Sequence, residues 1–322
     1  MSERSKDIEA SSPPNEAAVL PLADNKRKVF FGLFVFPMLI AVTMAVLLSG
    51  IVLLTHEEET PETLITTIKT GAPSKRWQKA FELSNELNRK DGMIRGAGIM
   101  HEVIHILNDK EHYDAKTRAY MAMALSRFQN DEAEAALRKA LRGADDSEDP
   151  KLTLFLMWSI GNFKHPDAAQ DVVRFLESQH DDLRKTAAYV LGALAYGTRY
   201  VAGQVRMGNS GPVPAVPGTV LFALKRSLED PVVDVQWNAA ASLARLGDNS
   251  GGEILLQMLD RNRLQNTQRL NEVEIERVMV NAAKAFGLIQ YSEAAPVLEK
   301  VSKTDPNLKV RETALIALRQ ST

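Results

Sequence analysis

A segment of about a dozen residues recurs along the chain and limits the fold more than any other feature of the sequence. It has a turn, a polar–basic pair, small residues, a large apolar residue and another apolar residue three later. The clearest copies are Leu183-Arg184-Lys185-Thr186-Ala187-Ala188-Tyr189-Val190-Leu191-Gly192-Ala193-Leu194 and Val235-Gln236-Trp237-Asn238-Ala239-Ala240-Ala241-Ser242-Leu243-Ala244-Arg245-Leu246. Val278 to Ile289 follows, with Ala282-Ala283 and Phe286-Gly287, and Val310-Arg311-Glu312-Thr313-Ala314 through Leu318 is the last copy. Weaker copies end at Leu125-Ser126-Arg127-Phe128 and Ile160-Gly161-Asn162-Phe163, and the weakest spans Arg76 to Glu86. The large apolar residue serves as a marker, at Leu83, Leu125, Ile160, Leu191, Leu243, Phe286 and Leu318. Most marker spacings lie between 31 and 43 residues, and one is 52. A period of that size, built of two helices, is the period of an α-solenoid.

The small residues have a mechanical reason. Pairs such as Ala187-Ala188 and Ala282-Ala283 let neighbouring helices approach, and Leu191 or Phe286 fills the seam between them. Each helix pair exposes an apolar face that only the next pair can cover. Asp149-Pro150, Asp230-Pro231 and Asp305-Pro306 each precede a copy. Aspartate there is expected to cap the helix, with proline in its first turn.

The D-P-x-x-x-V-R-x-x-A-A-x-x-L-G-x-L elements resemble the HEAT-repeat family, in its bacterial HEAT-like form, over roughly Pro73 to Gln320. The resemblance implies an all-α fold: a right-handed α-solenoid of about 6–7 HEAT-like helix pairs over 73–322, preceded by a single transmembrane helix. It also implies a curved superhelix that binds proteins along its inner surface. Gln236 in place of arginine, and Leu154-Phe155 in the third copy, depart from the motif and put the stacking there in doubt.

Val29 to Leu54 contains no charged residue. As a helix it would span about 39 Å at ~1.5 Å per residue, against roughly 30 Å of bilayer hydrocarbon. Pro37 is expected to kink it, which membrane helices tolerate. Lys26-Arg27-Lys28 precedes the stretch and His56-Glu57-Glu58-Glu59 follows it. The positive-inside rule then places residues 1–28, a polar tail expected to be disordered, in the cytoplasm, and everything after 54 across the membrane. A cleaved signal peptide is the alternative, but its polar lead would be unusually long and its apolar core about twice the usual maximum. Thr60-Pro61-Glu62 starts a juxtamembrane helix or linker, 55–72, closed by Gly71.

The marker spacing of 52 hides an insertion. Residues 197–218 hold five Gly and three Pro, with Arg199 and Arg206 and no acid. This composition predicts a non-helical loop, and a long loop in a compact domain is often a binding segment. Trp77 and Trp237 fall at one register of the repeat. In the family that helix tends to line the concave face, so the two rings are candidate partner anchors. The alternative, that each packs on the preceding repeat, stays open. Tyr189, Tyr200 and the basic connection with Arg261 and Arg263 complete the candidate partner-binding set. Gly143 to Asp149 is an acidic turn that reads as a solvated loop.

Several chemistries lack their residues. The chain has no cysteine, which excludes disulfides, Cys-zinc sites, thiol catalysis and cofactor attachment through sulfur. A net charge of −2 offers no strong attraction for nucleic acid. Deoxyhypusine hydroxylase resembles this fold and holds two irons through repeated His-Glu pairs. Here only His101-Glu102 lies in the repeats, and His101 with His105 lacks a third ligand. Bilin lyases carry similar repeats but are soluble. No P-loop, Gly-x-Ser-x-Gly elbow or His-Glu-x-x-His occurs. The expectation is a non-enzymatic scaffold or accessory subunit with no cofactor, metal, nucleic acid or small-molecule substrate; the alternatives are a structural subunit held through its transmembrane helix and, behind it, an enzyme with a site under the 197–218 loop. It would sit in a bacterial inner membrane with a periplasmic solenoid that binds another membrane or envelope protein.

The orientation gives a direct expectation. Alkaline phosphatase fused after Thr322 should be active in a bacterial host; activity only from a reporter that works in the cytoplasm would reverse the topology.

Overall fold

The computed structural model describes residues 30–55, 60–88, 96–200 and 217–321. The expectations for the tail 1–28, for His56 to Glu59 and for Arg206 lie outside these residues. The chain divides into two units, Met1–Glu59 and Thr60–Thr322.

In the first unit a π-helical turn, Phe31–Val35, leads into α1, Phe36–Thr55. Proline accounts for the widened turn. Pro37 has no N–H to donate and its ring crowds the carbonyl one turn earlier, and an i→i−5 turn makes room. The Phe36 N–H accordingly donates to the Phe31 carbonyl. The kink expected at Pro37 therefore takes the form of a local π turn. Phe31–Ile51 spans 21 residues, is long and apolar enough to cross a membrane, and buries nothing within the protein. The Thr43 hydroxyl, the polar group of this stretch with a bond described, donates to the Leu39 carbonyl at 2.7 Å.

The second unit is a solenoid of seven successive helix pairs among the described residues. They are α2 Pro61–Thr70 with α3 Pro73–Asn88; α4 Ala97–Asn108 with α5 Ala115–Leu125; and α6 Asp131–Arg142 with α7 Pro150–Gly161. The fourth pair joins α8 Ala169–Val172, flanked by 3-10 turns Pro166–Ala168 and Val173–Glu177, to α9 Asp181–Tyr200. Next come α10 Gly218–Arg226 with α11 Val233–Arg245, then α12 Gly252–Met258 and α13 Arg261–Asn266 with α14 Glu272–Phe286, and α15 Ala294–Thr304 with α16 Leu308–Ser321. The second helices α3, α5, α7, α9, α11, α14 and α16 pack side by side in one row, and the first helices form a looser second layer.

Side-chain caps explain several starts. Thr60 accepts from the Thr63 N–H ahead of Pro61, Asp114 from Thr117, Asn130 from Ala133, and Asn271 forms a capping box with Glu274. The turn after a second helix bends through a left-handed residue four places beyond the marker. Gly247 serves there after α11, and Gln129 and Lys164 adopt the same conformation after α5 and α7.

Four expectations need correction. The helix expected between Thr60 and Gly71 is present as α2, but it is not a separate juxtamembrane segment: it buries Leu64, Ile65 and Ile68 against the solenoid and is the first helix of its first pair. The insertion does not begin at 197, because α9 continues through Tyr200; residues 201–216 lie outside the described set. The connection at Arg261–Arg263 is itself a short helix, α13. The aspartates of Asp230-Pro231 and Asp305-Pro306 do not cap helices: their carboxylates accept from the backbone N–H two residues on, at 2.8 and 2.9 Å. Those helices start later, at Val233 and Leu308.

Close approach within the row depends on small residues one place after the marker. A Cβ at Gly192 would lie 2.8 Å from the Ser242 Cα, and the Ser242 hydroxyl donates to the Ala188 carbonyl at 2.6 Å. Helices α9 and α11 thus meet backbone to backbone. Gly192→Ala should lower stability by about 1–3 kcal/mol, since the clash is with main chain. Gly98→Ala, where a Cβ meets open space, should be neutral or gain up to ~1 kcal/mol. Urea midpoints of the two variants test the contrast; equal midpoints would contradict it.

Candidate functional site

Each second helix is covered by its own first helix and by its neighbours in the row, two for interior helices and one for α3 and α16, which leaves one face free. What stands on that face is decided by register. The residue seven before each marker is directed inward. Arg76 donates to the Gly71 carbonyl at 3.1 Å, Arg118 to Leu107 at 2.8 Å, Arg184 to Ser178 at 3.0 Å and Arg311 to Asp305 at 2.7 Å. Every acceptor lies at the C-terminal end of the first helix of the same pair, where helix carbonyls lack partners and the dipole favours a cation. Gln236 makes the same bond to Asp230 at 2.7 Å, so the departure from arginine leaves the stacking intact. In the third pair, Thr153 holds this register and donates to Asp149 at 3.2 Å, and Leu154 and Phe155 pack against the core.

Arg184 also reaches the next pair. Its Nε and Nη2 form a two-pronged contact with Asp230 at 2.7 and 3.1 Å, with both side chains largely buried. Arg261 grips Asp305 in the same way and adds Glu272 at 2.6 Å. Hydrogen bonding to Asp230 and its charge raise the Arg184 pKa against the opposing effect of burial. Burial works to raise the Asp230 carboxyl, but hydrogen bonds from Arg184 and the Val232 N–H, with the Arg184 charge, outweigh it and hold it below the usual range.

The free face carries a ladder of aromatic rings. Phe81 of α3 meets Tyr120 of α5 edge-on, at 5.3 Å between centroids and 63°, and Tyr120 meets Phe155 of α7 at 5.8 Å and 78°. Trp158, one turn beyond Phe155, lies 5.0 Å from Tyr189 of α9. The Arg245 guanidinium of α11 sits 5.5 Å above the Tyr189 ring. Phe81 and Trp158 remain 44% and 45% exposed, which is unusual for rings of this size inside a repeat row. Phe81, Trp158 and Tyr189 stand two residues before their markers; Tyr120 and Phe155 stand five before. These registers are three apart, so they share one helical face.

Of the candidates read from sequence, Tyr189 belongs to the ladder. Trp77 is half-buried and receives Lys116 Nζ 3.0 Å over its ring. Trp237 is half-buried and packs against the C-terminal core. Arg261 is engaged by Asp305 and Glu272, Arg263 is exposed on α13, and Arg199 and Tyr200 lie on the last turn of α9. Phe81, Tyr120, Phe155 and Trp158 were not singled out, although their recurrence before the markers was available in the sequence. Among the described residues no group of three or more His, Asp or Glu could hold a metal ion. His101 instead pairs with Glu132 at 3.0 Å.

The family model for HEAT repeats matches residues 102–192, and that for the PBS lyase HEAT-like repeat matches 235–261. Residues 102–192 and 235–261 are thus HEAT-type repeats. Compared with the curated proteins by sequence, the chain matches none. Among solved structures, the chain is similar to the complex of CpcE and CpcF of phycocyanin lyase from Nostoc sp. PCC7120, at 16% identity and TM-score 0.49, covering 83% of this chain and 97% of that one. It is also similar to a designed armadillo repeat protein, at 17% identity and TM-score 0.41, over 82% and 100% of the two chains. Human deoxyhypusine hydroxylase follows at 15% identity and TM-score 0.35, over 81% and 95%. None of these likenesses bears on the chemistry of this chain.

The Arg184–Asp230 contact predicts an acid-dependent loss of stability. The Asp230 pKa is depressed on folding, so its contribution is complete above the unfolded value of about 3.9 and is lost as pH falls through the folded value. Asp230→Asn should cost about 2–4 kcal/mol at pH 7 and flatten the decline below pH ~4. Denaturant titrations at pH 7, 4 and 3 measure both, and an unchanged slope in the variant would remove this pair as the cause.

Proposed function

We propose that the protein is a non-catalytic, membrane-anchored scaffold or accessory subunit that docks another membrane or envelope protein on the free face of its second helices. The aromatic ladder carries this reading. Large rings left half-exposed in a row represent apolar area that a partner can cover, at about 25 cal/mol per Å² removed from water. Their neighbours already hold them in place, so little side-chain freedom is lost on binding.

Residues Phe31–Ile51 act as the anchor in this reading, with the basic N-terminal flank in the cytoplasm and the repeats in the periplasm of a bacterial cell. Anchoring confines the ladder near membrane partners and raises their effective concentration. In the rival reading the chain is a structural subunit held through its helix. Gly32 and Gly50, beside which nothing lies within 4 Å, would then receive another helix.

Mild-detergent purification from native membranes, with mass spectrometry of what co-purifies, separates the readings. A stoichiometric partner should be retained when Phe31–Ile51 is exchanged for an unrelated anchor and lost in a Phe81→Ala/Trp158→Ala variant. Loss with the anchor exchange and retention in the ring variant would favour the helix-held subunit and defeat docking on the ladder.

A further inference from the structure

The row of second helices ends on a face whose role the earlier pairs define. On each second helix the residue one place after the marker approaches the following second helix. A Cβ at Gly161 would lie 3.4 Å from the Val190 side chain, one at Gly192 2.8 Å from the Ser242 Cα, and one at Gly287 3.5 Å from the Ala317 Cα. The residue three before the marker faces the same way, since the Ala188 carbonyl accepts from the Ser242 hydroxyl. Six before the marker, Val280 is buried in the C-terminal core. Ten before it, Glu276 accepts from Asn307 and Lys309 of the next pair at 2.9 and 2.7 Å. These four places lie three or four residues apart and make one stripe along the helix.

On α16 the stripe is Leu308, Glu312, Leu315 and Arg319, and all four are exposed, the leucines by 60% and 43%. In the earlier second helices the place three before the marker holds alanine, or Met157 in α7, each without exposed surface. The place after the marker holds Ser84, Ser126, Gly161, Gly192, Ala244 and Gly287. Arg319 fills the gap that these small residues leave open, so a further pair of the same kind could not stack on α16. A polar outer face ordinarily closes a repeat array, whereas this one leaves two leucines in water.

Charge selects what covers them. Glu312 and Arg319 stand on either side of Leu315, about 10 Å apart along the helix and too far apart to pair with each other. The places three and four from Glu312 hold Leu308, Lys309, Leu315 and Ile316, and Lys309 is already held by Glu276 at 2.7 Å. Three and four before Arg319 stand Ile316 and Leu315. A stripe with one charge of each sign, a turn to either side of a leucine, is self-complementary. A second α16 running antiparallel across it sets Leu315 against Leu315 and brings each Glu312 to the other copy's Arg319. A twofold interface requires this reciprocity. A strongly acidic or strongly basic partner would instead meet a charge of its own sign.

We infer that this end face pairs with the same face of a second copy of the chain, α16 against α16, about a twofold axis beside Leu315. The leucines supply the apolar area that is covered, and the two Glu312–Arg319 pairs fix the antiparallel direction. The ladder on α3 to α9 takes no part, so docking there stands or falls separately.

A chain without cysteine makes the test direct. Full-length Leu315→Cys is treated in its native host cells with a short bis-maleimide, beside Phe222→Cys, which is exposed on a first helix and gives the background of chance collisions. Leu315→Cys should be captured as a dimer well above that background. Adding Glu312→Arg or Arg319→Glu should lower the yield by about tenfold or more, and the two reversals together should restore it. An unchanged thermal melt establishes that the variants are folded.

Equal capture at 315 and 222, indifference to either single reversal, or a double reversal that restores nothing would each overturn the inference. A mono-maleimide identifies what is there instead. Rapid labelling of the thiol at 315 without capture means a bare face, and a protected thiol without capture means a partner of another kind; either result excludes the pairing of copies.

Discussion

The solenoid depends on how the second helix, in five of the seven pairs, closes off the first helix of its own pair. A helix ends with carbonyls that have no partner, and in a repeat array each such end is covered by neighbours and shielded from water. The long donor seven residues before the marker answers this problem repeatedly. Arginine does so in four pairs and Gln236 in a fifth. Because arginine has donors to spare, Arg184 can hold its own pair and also grip Asp230 of the next. One side chain thus fixes both the angle within a pair and the step between pairs. Gln236, with one amide, performs the first task only.

That division of labour coincides with a change in the core. One hydrophobic cluster runs from Leu64 to Leu246 and another from Ala240 to Ala317, and they meet at α11. Ala239 and Leu243 face the first cluster; Ala240 and Ala244 face the second. Beyond α11, the tie to the following pair is supplied by Arg261 on the additional helix α13, which reaches Asp305. The ladder lies wholly on the N-terminal side of this junction, on four second helices that share one continuous core. Its rings therefore rest on one packed body.

Periodicity made the array legible. A marker with small residues around it specifies which helix face is buried, and the seven pairs follow from that. What was less legible followed from local chemistry that periodicity does not report. Asp230 and Asp305 read as caps because aspartate before a helix usually caps it, yet an arginine from the preceding pair claims the carboxylate and moves the helix start downstream. Residues 197–200 read as loop because Gly197 breaks a helical pattern, but a helix already running carries a single glycine at a cost of only about 1 kcal/mol. For the site, Trp77 and Trp237 drew attention as the matched tryptophans. Their register, six before the marker, lies nearer the core side, and both rings are half-buried there.

Two and five residues before the marker the requirement is different. Those positions lie along the seam between second helices, where Tyr120, Phe155 and Tyr189 pack partly against the core, but the repeat does not dictate large rings there: the corresponding places in later pairs hold Asn238, Ala241, Asn281, Lys284, Thr313 and Ile316. Rings at 81, 120, 155, 158 and 189 are therefore not demanded by the repeat, while the alanines and the marker are. Aromatic pairs contribute only about 0.5–1.5 kcal/mol each beyond area burial, and half of the Phe81 and Trp158 surface gains nothing in the free protein. A surface that the fold neither needs nor fully uses is accounted for most simply by what covers it.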